Sequence, residues 1–216
     1  MIPVKILSLR YLPGAQEGFA RALGAPKGYP SLAMLTTDSD DATYIALDEA
    51  TKAADVQVCY ARSFYAGAAN ASTPNAGEVI GILAGPTPGA VRSGMDAALA
   101  ALGRIGFSEI CDVPYLAHTI SSVGSYLSAE AGVPIGSALA YLIAPPLESM
   151  YAMDAAMKAA DVKLCKLFAP PSETNFGGGL LSGTQSACQA ACDAFREAVA
   201  QVAKQPVNGK ERENGF

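Results

Sequence analysis

Hydrophobic and polar positions along the first half of the chain follow two spacings in turn. Short apolar runs predict β-strands at residues 3–9, 31–37, 56–61 and 78–83. Helical spacing predicts helices at 16–23, at 40–54 and from the cap residue Thr87 to Leu102. Strands that alternate with helices in this way indicate a layered α/β fold.

The second half of the chain repeats this order. Equivalent elements begin near these residues: Tyr115, Val123, Ala138, Leu147, Val162, Gly179 and Thr184. When residues 45–60 are aligned with 151–166, nine of 16 positions are identical, including the pairs Asp48/Asp154, Lys52/Lys158 and Cys59/Cys165. We therefore predict a duplicated domain, with copies at 1–107 and 108–204 and a polar, disordered tail at 205–216.

Composition narrows the class of protein. Of 216 residues, 50% are hydrophobic and only 16% are charged, which favours burial of surface between subunits. The net charge of −5 argues against a nucleic-acid partner, because tracking phosphates needs a basic surface. The longest apolar run, residues 138–147, is too short to span a bilayer. Five cysteines without a disulfide-like framework predict a cytoplasmic protein with reduced thiols.

Several kinds of catalytic and metal site are excluded by what the sequence lacks. The single histidine, His118, rules out sites that need two, and its apolar surroundings favour a core or interface role. Cys188 and Cys192 share a helix face without a second ligand pair, so buried packing is favoured over zinc. No Lys-Ser or Lys-Thr follows Gly177–Gly179, so this run is not a phosphate loop.

Three polar clusters remain as candidate chemistry. The segment Asp38-Ser39-Asp40-Asp41 is explained either as a helix cap or as surplus carboxylates that receive a small organic cation. The second copy has Pro146 and Leu147 at the places of Asp40 and Asp41, so the fold itself does not require acids there. Glu78 stands alone in a neutral segment, and residues 171–176 form either a plain surface loop or a ligand-facing one.

The clusters and the repeat resemble one known family. The matching stretches are Asp38 to Lys52, Arg62 to Ala68, Ala76 to Val79, Gly124 to Ser128, Ala140 to Glu148 and Pro170 to Asn175. Over roughly residues 1–204 the chain resembles the tandem-domain, L-type bacterial microcompartment shell proteins of ethanolamine utilisation. The resemblance implies two tandem, circularly permuted shell domains and a homotrimer that forms a flat, pseudo-hexameric tile.

The resemblance also implies a site and partners. Ethanolamine would bind at Asp40, Asp41 and Glu78 beside the aromatic Phe107, with Thr174, Asn175 and Phe176 closing the site and the ligand regulating a central pore. Glu148 is a candidate pore-facing or metal-binding residue. The expected partners are other shell proteins, with no nucleic acid and no membrane. No cofactor is predicted, and binding of a metal ion or of cobalamin is left open.

Two other classes of function stay open on the residues alone. The acids also suit a soluble amine-binding sensor or carrier that does not assemble into a shell. An enzyme that uses Lys52 or Lys158 as a base or imine former is the third hypothesis, although the equivalent positions of these lysines favour a structural role. The leading interpretation is a structural shell subunit without enzymatic activity.

Overall fold

A computed structural model describes residues 1–64, 79–170 and 175–207. The first copy of the repeat contains β1 (Ile6–Leu12), α1 (Glu17–Ala22), β2 (Ser31–Thr37), α2 (Asp40–Ala53), β3 (Gln57–Ser63), β4 (Val79–Gly85) and α3 (Pro88–Leu102). After the short strand β5 (Ser108–Ile110), the second copy contains β6 (Val113–Ile120), α4 (Ser125–Ala131), β7 (Ala138–Ala144), α5 (Pro146–Ala159), β8 (Val162–Phe168), β9 (Gly177–Gly183) and α6 (Gln185–Lys204). The predicted mixed α/β fold is confirmed.

Each copy builds its own antiparallel sheet with the same strand order. The first sheet has the order β1-β2-β4-β3, and the second has β5-β6-β7-β9-β8. In β3 the register shifts between Val58 and Tyr60, and in β8 it shifts between Leu164 and Lys166. The repeat pair Cys59 and Cys165 therefore lies at the same irregularity in both sheets, so the duplication extends to local backbone geometry.

The capping signal at Thr87 places the start of α3 correctly. The Thr87 side chain accepts a hydrogen bond from the Ala90 amide, and Pro88 is the first helical residue of α3. The prediction for the first strand is wrong by three residues, since β1 covers Ile6–Leu12 and not 3–9. Its bounds follow from antiparallel pairing with β2, in which Leu12 lies opposite Leu32.

Helix pairs bury one face of each sheet. In the first copy α2 and α3 pack together and against β4, and Leu47, Leu83 and Met95 have no exposed surface. In the second copy α5 and α6 pack together and against β7 and β9, around Leu142 and Phe195. Burial of one such side chain contributes about 1.5–3 kcal/mol, so these layers hold α2 and α5 against their sheets.

The chain divides into two compact units, and one helix of the second copy lies in the N-terminal unit. The N-terminal unit comprises Pro3–Gly106 and Ser122–Gly136, and the C-terminal unit comprises Met1–Ile2, Phe107–Ser121 and the described residues from Ser137 on. Helix α4, which belongs to the second copy by sequence, thus packs in the N-terminal unit against α2. The predicted domains 1–107 and 108–204 follow the repeat rather than these units, and they stay a prediction.

Within the described residues, no helix combines the length and the apolar character needed to cross a membrane. Residues 208–216 of the predicted tail, and with them its predicted disorder, lie outside the described part of the chain.

Candidate functional site

Two adjacent carboxyl groups begin helix α2. Asp40 and Asp41 are its first two residues, and each is only 7% exposed. The Asp40 carboxylate accepts a hydrogen bond of 2.8 Å from the Asp41 amide. Ser39 is the cap residue, yet its side chain makes no capping hydrogen bond. Negative charges at a helix start are favoured by the helix dipole, which accounts for acids at these two positions. The helix dipole does not require the acids to be buried, so their burial needs another explanation.

The surroundings of Asp40 disfavour its charged form. Burial raises the pKa of Asp40, and hydrogen bonds from the Ser63 hydroxyl, the Asp41 amide and the Asp41 carboxyl oppose the rise. These named partners are neutral or acidic groups. A buried carboxylate is stabilised best by a cation, so a small ammonium group beside Asp40 would favour its ionised form.

A chain of hydroxyl groups leads away from Asp40 inside the N-terminal unit. Ser63, the last residue of β3, forms a short hydrogen bond with the hydroxyl of Tyr44, one turn along α2 from Asp40. The Tyr44 ring lies 6.1 Å from that of Tyr126 in α4. Burial is the main cause of a strong rise in the Tyr126 pKa, to which Glu130 adds. The Ser63–Tyr44 hydrogen bond and the ring contact between Tyr44 and Tyr126 thus connect the surroundings of Asp40 to α4.

The hydroxyl oxygen of Ser39, directly before Asp40, is buried and has no hydrogen-bond partner among the described residues. A buried hydroxyl without a partner costs free energy, and a ligand with a donor or acceptor would recover it. Ser63 and Tyr44 are polar neighbours of the acids that the sequence reasoning missed, whereas Ser39 was considered there only as part of the possible helix cap. The one available signal was that all three lie within or beside stretches that matched the family.

In the C-terminal unit, two predicted aromatic residues lie together. The rings of Phe107 and Phe176 are 5.8 Å apart in an edge-on arrangement with an interplanar angle of 65°. The Phe107 carbonyl accepts a hydrogen bond of 2.6 Å from the Ile2 amide. Asn175, next to Phe176, has a φ of 64°, a left-handed conformation that asparagine tolerates. Aromatic faces attract ammonium groups, so this pair has the right chemistry for an amine.

The remaining predicted site residues are described only in part. Glu78 and Thr174 lie outside the described residues. Asp40 and Asp41 belong to the N-terminal unit, whereas Phe107, Asn175 and Phe176 belong to the C-terminal unit. The single ethanolamine site that the resemblance implies, with residues of both units, stays a prediction.

Glu148 is half-buried in the first turn of α5. In the described ranges, no group of three or more histidine, cysteine or acidic side chains could hold a metal ion. A metal-binding role for Glu148 therefore stays an untested prediction.

The other residues that the sequence analysis named are buried, half-buried or paired with a neighbour on the same helix. Cys188 and Cys192 are buried, and burial raises the pKa of Cys192 to about 11. His118 is half-buried on β6. Two lysines form ion pairs on their own helices, Lys52 with Glu49 at 2.5 Å and Lys158 with Asp154 at 2.6 Å.

The chain is similar in sequence to one family model and to two known proteins of the same kind. The family model described as BMC domain matches residues 31–113. The chain is 56% identical over 211 residues to the bacterial microcompartment shell protein EutL of Clostridium perfringens (strain 13 / Type A), covering 96% of this chain and 97% of that protein. Identity to the shell protein EutL of Salmonella typhimurium (strain LT2) is 48%, covering 96% of both chains.

A solved structure shows the same similarity in three dimensions. The crystal structure of the ethanolamine utilization protein EutL from Leptotrichia buccalis C-1013-b matches with a TM-score of 0.93 at 56% identity, and the match covers 96% of this chain and 97% of that one. The similarity thus extends over both copies of the repeat and both sheets.

Proposed function

Because this chain belongs to the EutL family of bacterial microcompartment shell proteins, we propose that three copies of it close into a flat, pseudo-hexameric tile of the shell. The family and the place in a microcompartment shell, which the resemblance implied, are confirmed by these similarities, as is the fold. The relatives are named as shell proteins and not as enzymes, which sets aside catalysis by Lys52 or Lys158.

The observation that best supports the proposed trimer is the duplication of the fold. One chain contains two sheets with matching strand order, matching helix pairs and a matching register shift. Three such chains provide six similar domains, and a ring closes if the contact between copies within a chain is repeated between chains. The low charged fraction of 16% supports burial of the domain edges in such an assembly.

Light scattering after size exclusion tests the trimer. We expect a mass of about 66 kDa, three times the 22.1 kDa of the chain. A monomer or dimer across the concentration range would contradict the tile and favour the amine-binding sensor or carrier instead. Flat hexagonal sheets seen by electron microscopy would extend the result from the trimer to the shell.

The ligand of the tile is ethanolamine, and the acidic pair at the start of α2 binds its ammonium group. Two observations support this: Asp40 is buried among neutral or acidic partners, and the Ser39 hydroxyl is buried without a partner among the described residues. Ethanolamine offers three ammonium donors and one hydroxyl, which suits carboxylates beside a serine. Glu78, Phe107, Thr174, Asn175 and Phe176 complete the predicted site.

Bound ethanolamine regulates the central pore. A ligand shifts an open and closed equilibrium only by the difference between its affinities for the two states. The site adjoins the Ser63–Tyr44 hydrogen bond and, through Tyr44, the ring of Tyr126, which gives ethanolamine a route to influence α4. In this proposal the ligand acts on passage through the tile and is not turned over.

Calorimetry with ethanolamine tests the site. The variant Asp40→Asn removes one carboxylate with little change in shape, and loss of a charge-assisted hydrogen bond of about 1.5–3 kcal/mol predicts binding weakened more than tenfold. Asp38→Asn is the matched control, because Asp38 is exposed and its carboxylate accepts a hydrogen bond from the Lys5 amide. Equal ethanolamine binding by the two variants would contradict the assignment, while an unchanged trimer mass would leave the tile intact.

A further inference from the structure

The central helices of the two copies differ in how much of one face is exposed. On α2 this face carries Asp41, Ile45, Asp48 and Lys52, and the first three are at most 7% exposed. The repeat places Leu147, Tyr151, Asp154 and Lys158 at the same positions of α5. There Leu147 is 63% exposed and Tyr151 is 47% exposed. The same helix face is buried in one copy and open in the other.

Helix α4 contacts the buried face of α2. The Asp48 carboxylate accepts hydrogen bonds of 2.7 Å from the Gly124 amide and 2.8 Å from the Leu127 amide. The Thr51 hydroxyl accepts a hydrogen bond of 3.0 Å from the Ser125 amide. The side chain of Leu127 is 2% exposed. The chain thus shows, within the N-terminal unit, how this face of the repeat is covered.

The helix equivalent to α4 in the first copy is α1, and it also has an exposed apolar side chain. Gln16 and Gly124 are the caps of the two helices, so Phe19 and Leu127 are both third residues. Phe19 is 48% exposed. In α1 the Phe19 amide donates to the Gln16 side chain at 2.8 Å, whereas the equivalent Leu127 amide donates to Asp48. Helix α1 is therefore the counterpart of α4 without the covering contact.

We infer that the exposed face of α5, defined by Leu147, Tyr151, Asp154 and Lys158, binds helix α1 of a second copy of this chain, as α2 binds α4 within it. This inference rests on the proposed trimer. Each chain has one open α5 face and one exposed α1, so three chains in a ring leave neither surface unpaired. Burial of Phe19 against Leu147 and Tyr151 supplies the apolar contact that drives association.

The intramolecular contact also predicts the register of the intermolecular one. Thr51 lies against Ser125, the first residue of α4. Their equivalents are Met157, which is 40% exposed, and Glu17, the first residue of α1. Met157 of one copy therefore faces Glu17 of the next copy. A cysteine pair at these two positions is close enough to form a disulfide only if the register is right.

Charge substitutions test the interface by light scattering. Phe19→Glu and Tyr151→Glu each place a charge in the proposed contact, and we expect monomers at concentrations where the wild-type chain is trimeric. Leu167→Glu on β8 is the matched control, since Leu167 is 47% exposed like Tyr151 and lies outside this face. If both interface variants are trimeric, the proposed α1–α5 contact is wrong but the proposed trimer is not contradicted. If the wild-type chain is monomeric, both the contact and the trimer are wrong.

Cross-linking gives a second test that does not depend on disrupting the protein. The double variant Glu17→Cys with Met157→Cys, made in a Cys111→Ser background to remove the exposed native thiol, is oxidised mildly and run on a non-reducing gel. We expect covalent dimers and trimers, and monomers from either single variant. Absence of cross-links in a double variant that is trimeric by light scattering would show that the chains meet through another surface.

Discussion

Replacing Asp48 with alanine is expected to destabilise the protein by about 3 kcal/mol and to release helix α4 first. The carboxylate is fully buried and accepts the amides of Gly124 and Leu127. Each amide left buried without an acceptor costs about 1–3 kcal/mol. Burial disfavours the charged form of Asp48 and raises its pKa despite these bonds. Removing the charge therefore recovers part of the free energy lost with the two amide contacts, and a net loss of about 2–4 kcal/mol in the free energy of unfolding remains.

Urea denaturation followed by circular dichroism measures this free energy at a fixed protein concentration. For a chain of this length, the loss corresponds to a fall of about 6–12 °C in Tm. Between the wild-type protein and the Asp48→Ala variant, amide hydrogen exchange should speed up more at Ser125–Ala131 than elsewhere. Asp193→Ala is the control, because the side chain of this acid is 45% exposed and its contacts with Arg196 and Gln189, both at 3.3 Å, lie on its own helix, so its loss costs at most about 0.5 kcal/mol. Equal losses in the two variants would refute the reasoning.

Of two further predictions, the first concerns the contact of α4 with α2 and the second concerns the buried acids Asp40 and Asp48. Gly124→Ala places a Cβ against the Thr51 hydroxyl and 2.7 Å from the Asp48 carbonyl oxygen, so we expect a loss above about 1 kcal/mol in urea, whereas Gly103→Ala, whose nearest atom is 3.5 Å away, should change little. Burial raises the pKa of both Asp40 and Asp48 above the ordinary 3.8, so the folded state holds protons that the unfolded chain has lost. Stability should therefore fall as pH rises from 3.8 through the raised values, and Asp48→Asn should flatten that slope; an unchanged slope would contradict this assignment.

The repeated parts of the fold were predictable because the sequence repeats where local patterns are strong. The alignment of residues 45–60 with 151–166 covers most of the α2–β3 and α5–β8 segments. The short strand β5 was not predicted, since three residues are too few to show a period. The packing of α4 in the N-terminal unit was also missed, because it depends on hydrogen bonds to Asp48 from residues far along the chain.

The acids at the start of α2 stand out in the sequence because Asp38, Asp40 and Asp41 exceed what a helix cap needs, and because the second copy lacks acids at the places of Asp40 and Asp41. Their partners do not. Ser63 and Tyr44 are hydroxyl residues in ordinary strand and helix positions, and only the pairing of β3 with β4 and the packing of α2 bring them to Asp40. Hydroxyl networks are specified by tertiary geometry and leave no periodic signal in the sequence.

Asp48 and Asp154 connect the repeat to the proposed assembly. Both copies have aspartate and lysine at these matched positions, yet the two acids have different surroundings. Asp48 is buried and holds two amides of α4, whereas the side chain of Asp154 is 64% exposed and pairs with Lys158 on its own helix. An exposed pair of this kind adds little to stability, so the fold of one chain does not account for the identity of the two positions. A second copy whose α1 covers the α5 face does account for it, because the same helix contact then occurs six times around a ring of three chains.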